Sequence, residues 1–205
     1  MILRIAQIPV GSMLNFSYIV YDEKNGIGVI IDPSWDLEKI LTILDENNIT
    51  AKYIINTHTH FDHTLGNDQI AGITKAEIIQ HEKSTQKKNR SVVDNENVDI
   101  GKINLQVVYT PGHSEDSICL IVNNQFIITG DTLFVGNCGR VDLPGSNPGK
   151  MYDSLVKIAN LYNSLVVYPG HNYGPTPTST IQNEKKHNPM LNFTTKEAFL
   201  KYMIN

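Results

Sequence analysis

The stretch NTHTHFDHTLG, residues 56–66, crowds His58, His60, Asp62 and His63 into six positions of a chain that has 7 histidines in 205 residues. Imidazole nitrogens and carboxylate oxygens are the ligands that suit zinc, iron or manganese at neutral pH, and a catalytic ion keeps one position open for water or substrate. Three more such groups stand further on: His113 in TPGHS, Asp131 in TGDT and His171 in YPGHN. Together they exceed what one tetrahedral ion takes, and they suit two ions sharing a bridge. In an extended segment His58 and His60 project to the same side, so both reach one metal. Asp62 and His63 follow after the chain has turned and can face a neighbouring ion. Asp131 is the candidate carboxylate between the two, in the manner of two-metal hydrolytic sites with ions ~3.5–4 Å apart.

These residues need a scaffold that brings distant segments together, and the pattern supplies one. Each group follows an apolar run with strand character and lies beside Gly or Pro, where rigid scaffolds hold functional side chains. NFSYIVYDE and IGVIIDPS flank Lys-Asn-Gly, the strongest short hairpin signal. From Asp36 to Asn47 the period changes to helical, with Leu37, Ile40, Leu41 and Leu44 on one face and Ser34 or Asp36 as N-cap. AKYIIN returns to strand and delivers the histidine string to the loop behind it. AEIIQHE reads as a short strand and STQKKNRSVVDNENVD as polar loop; LQVVYT is a strand, and SICLIV and QFIITGD form a second hairpin. Residues 136–149 read as a long glycine-rich loop, MYDSLVKIANLY as a helix and LVVYPGHNYG as a strand. TTKEAFLKYM closes with the Thr-x-x-Glu spacing of a capping box. Strand runs in two groups, each followed by helix, suggest two packed sheets with helices outside, and no linker or repeat divides residues 1–205, so one domain is expected.

Composition excludes several classes of function. A net charge of -4 and a pI near 5.9 give no broad cationic field for nucleic acid. The basic runs at Lys87, Lys88, Arg90 and at Lys185, Lys186 read as solvated faces. No apolar run approaches the 18 residues of a membrane span, no signal-peptide pattern opens the chain, and two cysteines build no disulfide framework, so a cytoplasmic protein is expected. His81 and His187 stand alone and read as satisfied polar residues. The loop GSNPGK is not a phosphate loop, having one spacer too few and Met151 where Ser or Thr should follow the lysine. Cys138, with no base supplied to it, reads as structural or pocket-lining rather than as a nucleophile.

The residues THTHFDH at 57–63, PGH at 111–113, GDT at 130–132 and PGH at 169–171 closely resemble, in order and spacing, the signature of the metallo-β-lactamase fold superfamily. The resemblance implies an α/β fold, the αββα four-layer sandwich of two mixed β-sheets flanked by helices, with the metals at one edge. It implies that His58, His60 and His113 bind a first divalent ion, that Asp62, His63 and His171 bind a second, and that Asp131 bridges them.

Details narrow the branch. Antibiotic-hydrolysing zinc lactamases typically have cysteine where Asp131 stands, and the diiron oxygen reductases carry glutamate where His60 stands. GDTLFVGNCGR resembles the glyoxalase II group, which hydrolyses glutathione thioesters. That likeness places Arg140 and Tyr173 at the substrate and implies a small-molecule thioester or thiol-derived substrate; Cys138, in the same glycine-rich loop, is the candidate pocket-lining residue at the substrate. Asp62 and Asp131 would then be the catalytic carboxylates, with two cations lowering the pKa of a shared water to near ~7 for attack on the thioester carbonyl. The segment YPGHNYGPTPTSTIQNEKKHNP is similar to persulfide dioxygenases, which hold one iron with residues that would here be His58, His113 and Asp131. Both schemes have their ligands. A second copy of the chain is left open as a partner.

Overall fold

The computed structural model describes residues 2–204. The chain first lays down β1 (Leu3–Val10), β2 (Asn15–Asp22) and β3 (Ile27–Ile31) as antiparallel neighbours. Helix α1 (Leu37–Glu46) carries it back to β4 (Thr50–Ile55) beside β3, and the single turn α2 (Phe61–Thr64) with α3 (Asn67–Thr74) leads on to β5 (Glu77–His81) and β6 (Arg90–Val92). Strands β3 to β6 pair in parallel, so this sheet is mixed and its six strands stand in chain order.

The second half adds β7 (Asn97–Ile100), β8 (Ile103–Tyr109), β9 (Ile118–Val122) and β10 (Phe126–Gly130), an antiparallel meander. A two-stranded hairpin, β11 (Leu133–Phe134) with β12 (Asn137–Cys138), and α4 (Pro148–Ala159) follow. The chain then places β13 (Val166–Pro169) parallel to β10 and β14 (Ser179–Thr180) antiparallel at the edge, before α5 (Ile181–His187) and α6 (Lys196–Ile204). The second sheet is therefore also mixed and six-stranded.

The near-continuous apolar runs follow from burial on both faces. Successive side chains on a strand alternate sides. Tyr18, Val20, Val29 and Ile31 of the first sheet meet Leu105, Leu120, Val122 and Ile128 of the second in a core between the sheets. Their neighbours Ile19, Ile30 and Ile54 face outward against Ile40 and Leu44 of α1 and Ile70 of α3. Cys119, Ile121 and Ile127 pack outward against Met151, Leu155 and Ile158 of α4 and Phe199 of α6. Each such aliphatic side chain contributes ~1.5–3 kcal/mol on burial. The result is the expected αββα sandwich of two mixed sheets.

Several local expectations are corrected. Residues 84–99 are not wholly loop, because Val92, Val98 and Ile100 point into the central core from β6 and β7. The two strands offer so few inward residues, between outward Asn97 and Asp99, that the stretch reads as polar. Residues 136–149 contain β12 and the first two residues of α4, which Asn147 caps by accepting from the Lys150 amide. The Thr-x-x-Glu spacing is not the cap of α6; Thr195 Oγ1 accepts from the Ala198 amide instead, at 3.2 Å. Of the two caps expected for α1, Asp36 holds the position, yet its carboxylate turns to Lys39 and the Gly11 amide.

Cys138, expected at the substrate, lies in the apolar cluster between the second sheet and its helices, with Leu133 and Val141. Burial pushes the Cys119 and Cys138 thiols up, to about 11 and about 12. Both stay protonated at pH 8, where only the thiolate reacts. Alkylation of the native protein should therefore be at least ~10²-fold slower than of the denatured chain, as read by mass spectrometry; comparable rates would contradict this placement.

Candidate metal centre

All seven predicted ligands converge at one edge of the two sheets. His58, His60, Asp62 and His63 follow the C-terminal end of β4, His113 follows β8, Asp131 follows β10 and His171 follows β13. Strand β10 is parallel to β13 with Gly130 opposite Pro169, which sets Asp131 beside His171. The glycines make room for this approach. A Cβ at Gly170 would stand 2.3 Å from Asp131 Oδ1, and one at Gly130, where φ is +48°, would stand 2.5 Å from Thr57 Oγ1. The string is not all loop: Asp62 and His63 lie on the turn α2, whose N-cap is His60.

Three donor groups form, each with its ligand atoms within 4.8 Å of one another: His58, His60 and His113; His58, His63 and Asp131; and Asp62, His63 and His171. His58 Nε2 is 3.1 Å and His113 Nε2 2.8 Å from His60 Nδ1. His63 Nε2 and His171 Nε2 are 3.2 Å apart, and Asp62 Oδ2 is 3.6 Å from the first and 3.4 Å from the second. Asp131 reaches both sides, with Oδ1 3.4 Å from His63 Nε2 and Oδ2 3.5 Å from His113 Nε2 and 3.2 Å from His171 Nε2.

The rings' other nitrogens settle which lone pairs face inward. His113 Nδ1 donates to the Arg140 carbonyl and His171 Nδ1 to the Met13 carbonyl, both at 2.9 Å. His63 Nδ1 donates to Asp32 Oδ2 at 3.0 Å. The Thr57 hydroxyl donates to Asp32, leaving its lone pairs for His58 Nδ1 at 3.2 Å. A carbonyl or carboxylate only accepts, so His58, His63, His113 and His171 each carry a proton on the outer nitrogen and turn Nε2 inward, while His60 turns Nδ1 inward. These inward nitrogens converge to 2.8–3.2 Å of one another, a set of donors close enough to share a cation. Asp131 Oδ1 is also buried without a hydrogen-bond partner, a costly state for a carboxylate oxygen that a cation relieves. Tetrahedral coordination at ~2.0–2.1 Å spaces ligand atoms ~3.3 Å apart, within the spread observed here. The donor set fits two divalent ions.

The carboxylates and burial set the rings apart electrostatically. Burial, with the neighbouring His63, holds the His58 ring well below the usual histidine range. Burial also lowers His63, but Asp131 and Asp32 outweigh it and lift the ring to about 9. Burial alone would raise Asp131, and the surrounding rings, His63 foremost, more than reverse it, so its carboxyl stays far below the usual range.

Asp32 is a functional residue that the sequence reading did not single out. It is buried at the end of β3 with φ +50° and accepts from the Thr57 amide, the Thr57 hydroxyl and His63 Nδ1. Asn15 is another, donating to both the carbonyl and the carboxylate of Asp62. Replacing Asp32 by Asn should weaken metal affinity ~10–100-fold, because outer partners orient their ligands. Chelator competition reads this directly, and unchanged affinity would deny Asp32 that role.

Arg140 and Tyr173 both line a cavity of about 550 Å³ that opens over His60, Asp62, His113, Asp131 and His171. Tyr173 stacks on the His171 ring, with centroids 4.7 Å apart, and shares the Met13 carbonyl with it at 3.1 Å. The Arg140 guanidinium is closed on Asp142, Nε to Oδ1 at 2.9 Å and Nη2 to Oδ2 at 2.8 Å. Cys138 is not among the lining residues. His81, stacked on Tyr109, and His187, bonded to Asn183, stay outside the centre.

The profile of the Metallo-beta-lactamase superfamily matches residues 13–171. The chain is 32% identical over 195 residues to the "Probable polyketide biosynthesis zinc-dependent hydrolase PksB" of Bacillus subtilis, covering 92% of this chain and 86% of that one. It is 37% identical over 163 residues to the hydroxyacylglutathione hydrolase of Rhodospirillum rubrum, covering 78% of this chain and 62% of that enzyme's length. The crystal structure of ETHE1 from Myxococcus xanthus superposes with a TM-score of 0.92 at 31% identity, over 100% of this chain and 91% of that one. Among the described residues no helix is long and apolar enough to cross a membrane.

Proposed function

The chain belongs to the metallo-beta-lactamase superfamily, and from that premise we propose that it is a metal-dependent hydrolase of thioesters. The observation that carries the reading is the pair of donor groups, His58, His60, His113 and Asp62, His63, His171, with Asp131 reaching both. These residues would hold two divalent ions, zinc, iron or manganese by donor chemistry. Ions in such a site lower the pKa of water toward ~7 and polarise a carbonyl oxygen.

The chain's own groups orient the rest. Asn15 pins Asp62 Oδ2 at 3.0 Å, which aims that carboxylate at the cavity, where it can accept a hydrogen from the attacking water. Water oxygen bonds to the acyl carbon, the carbon–sulfur bond breaks, and sulfur leaves as a thiol that takes up the proton. No side-chain nucleophile is needed, and the buried thiol of Cys138 is unsuited to be one. The relatives' names, a zinc-dependent hydrolase and a hydroxyacylglutathione hydrolase, support hydrolysis of this kind.

A colorimetric thiol assay tests it. Protein loaded with zinc or iron should release free thiol from an acetyl thioester, lose that activity in chelator and regain it with metal. The segment 168–189 favours a second reading, an iron-dependent persulfide dioxygenase using His58, His113 and Asp131. Oxygen uptake with glutathione persulfide, without thiol release from any thioester, would replace the first reading by the second.

A further inference from the structure

The cavity over the metal centre bears on which thioester is taken, an inference that rests on the thioesterase reading. Its lining beyond the metal donors is Met13, Phe61, Phe134, Leu143, Pro144 and Tyr173, with Arg140 the one cationic side chain among the lining residues. Two of the apolar groups stand open to solvent, Phe61 at 60% and Tyr173 at 53% exposure. Trp35 backs Phe61 edge-on with ring centroids 6.2 Å apart, and Phe134 backs Tyr173 edge-on at 5.3 Å. Large exposed rings held in place at the mouth of a reactive site are what an apolar ligand arm covers.

The charge balance points the same way. An anionic thiol such as glutathione brings two carboxylates, and a site for it needs cations free to pair with them. Arg140 is already engaged, since Asp142 meets its planar fork with both oxygens. An incoming carboxylate would have to displace Asp142 or share the guanidinium with it. We infer that the substrate is an uncharged thioester with an apolar arm, acyl or thiol, lying across Phe61, Met13 and Tyr173, rather than an ester of an anionic peptide thiol.

The test is a substrate series on the metal-loaded wild-type protein. Acetyl, butyryl and hexanoyl esters of a neutral small thiol, the acetyl esters of ethyl, butyl and hexyl thiol, and the matching acyl esters of glutathione are compared by kcat/KM. Along at least one arm kcat/KM should rise roughly two- to fourfold per methylene, the range set by partial to full burial of a CH₂. Each glutathione ester should run about tenfold or more below its neutral counterpart, and Asp142→Asn, which opens the Arg140 fork, should narrow that gap. Glutathione esters equal to or better than the neutral ones, or values flat along both arms, would overturn the inference while leaving the thioesterase reading intact. No turnover of any ester would remove the thioesterase reading and this inference with it.

Discussion

Replacing Asp131 by alanine is expected to abolish turnover, by ~10³-fold or more in kcat/KM, and to lower bound metal at both positions at once. The expectation follows from reach. Asp131 is the carboxylate that stands 3.4 Å from His63 Nε2 through one oxygen and 3.5 Å from His113 Nε2 through the other. It also helps to lift both His63 and His171, so its loss leaves Asp32 and Asp62 as the remaining counter-charges to these desolvated rings. Asp131→Asn is the control for packing, since it keeps the volume between Gly170 and the rings and removes only the charge. If either variant keeps near-wild-type rate and metal content, Asp131 does not link two ions. A thermal melt of each variant separates loss of the site from loss of the fold.

Replacing His63 by alanine should halve the metal rather than remove it. His63 belongs to the groups with Asp62 and His171 and with His58 and Asp131, and not to the group of His58, His60 and His113, from whose His58 ring it stands 4.1 Å away between centroids. Bound metal is therefore expected to fall from about two ions per chain to about one, with hydrolysis reduced ~10²-fold or more. Under the single-iron reading the same substitution spares all three of the donors His58, His113 and Asp131, so activity would be largely retained. Metal content by elemental analysis and the rate with one thioester, measured on the same preparation, decide between the two.

The candidate ligands were legible in the sequence because imidazole and carboxylate are metal-binding groups, and each follows an apolar run with strand character. The sandwich was legible for a related reason: β3, β9 and β10 are buried on both faces and read as largely apolar stretches. What orients the ligands was not. The carbonyls of Met13 and Arg140 accept from His171 and His113 through backbone atoms, which no residue type advertises. Asp32 did carry a signal, since Ile31-Asp32-Pro33 repeats the pattern of apolar strand, then carboxylate, beside proline that marked the other junctions. Read as part of the run IGVIIDPS, it gave no hint that its side chain reaches His63, 31 residues on. Strand β7 escaped because its apolar face is only Val98 and Ile100, and helix α3 because it buries only Ile70 among its apolar residues.

The central claim is that these seven side chains hold a pair of cations, and an anomalous-scattering crystal structure of metal-loaded protein tests it most directly. Two peaks are predicted, one among His58, His60 and His113 and the other among Asp62, His63 and His171, with Asp131 touching both. A single peak, or strong density only at surface residues with this cluster bare, would contradict it.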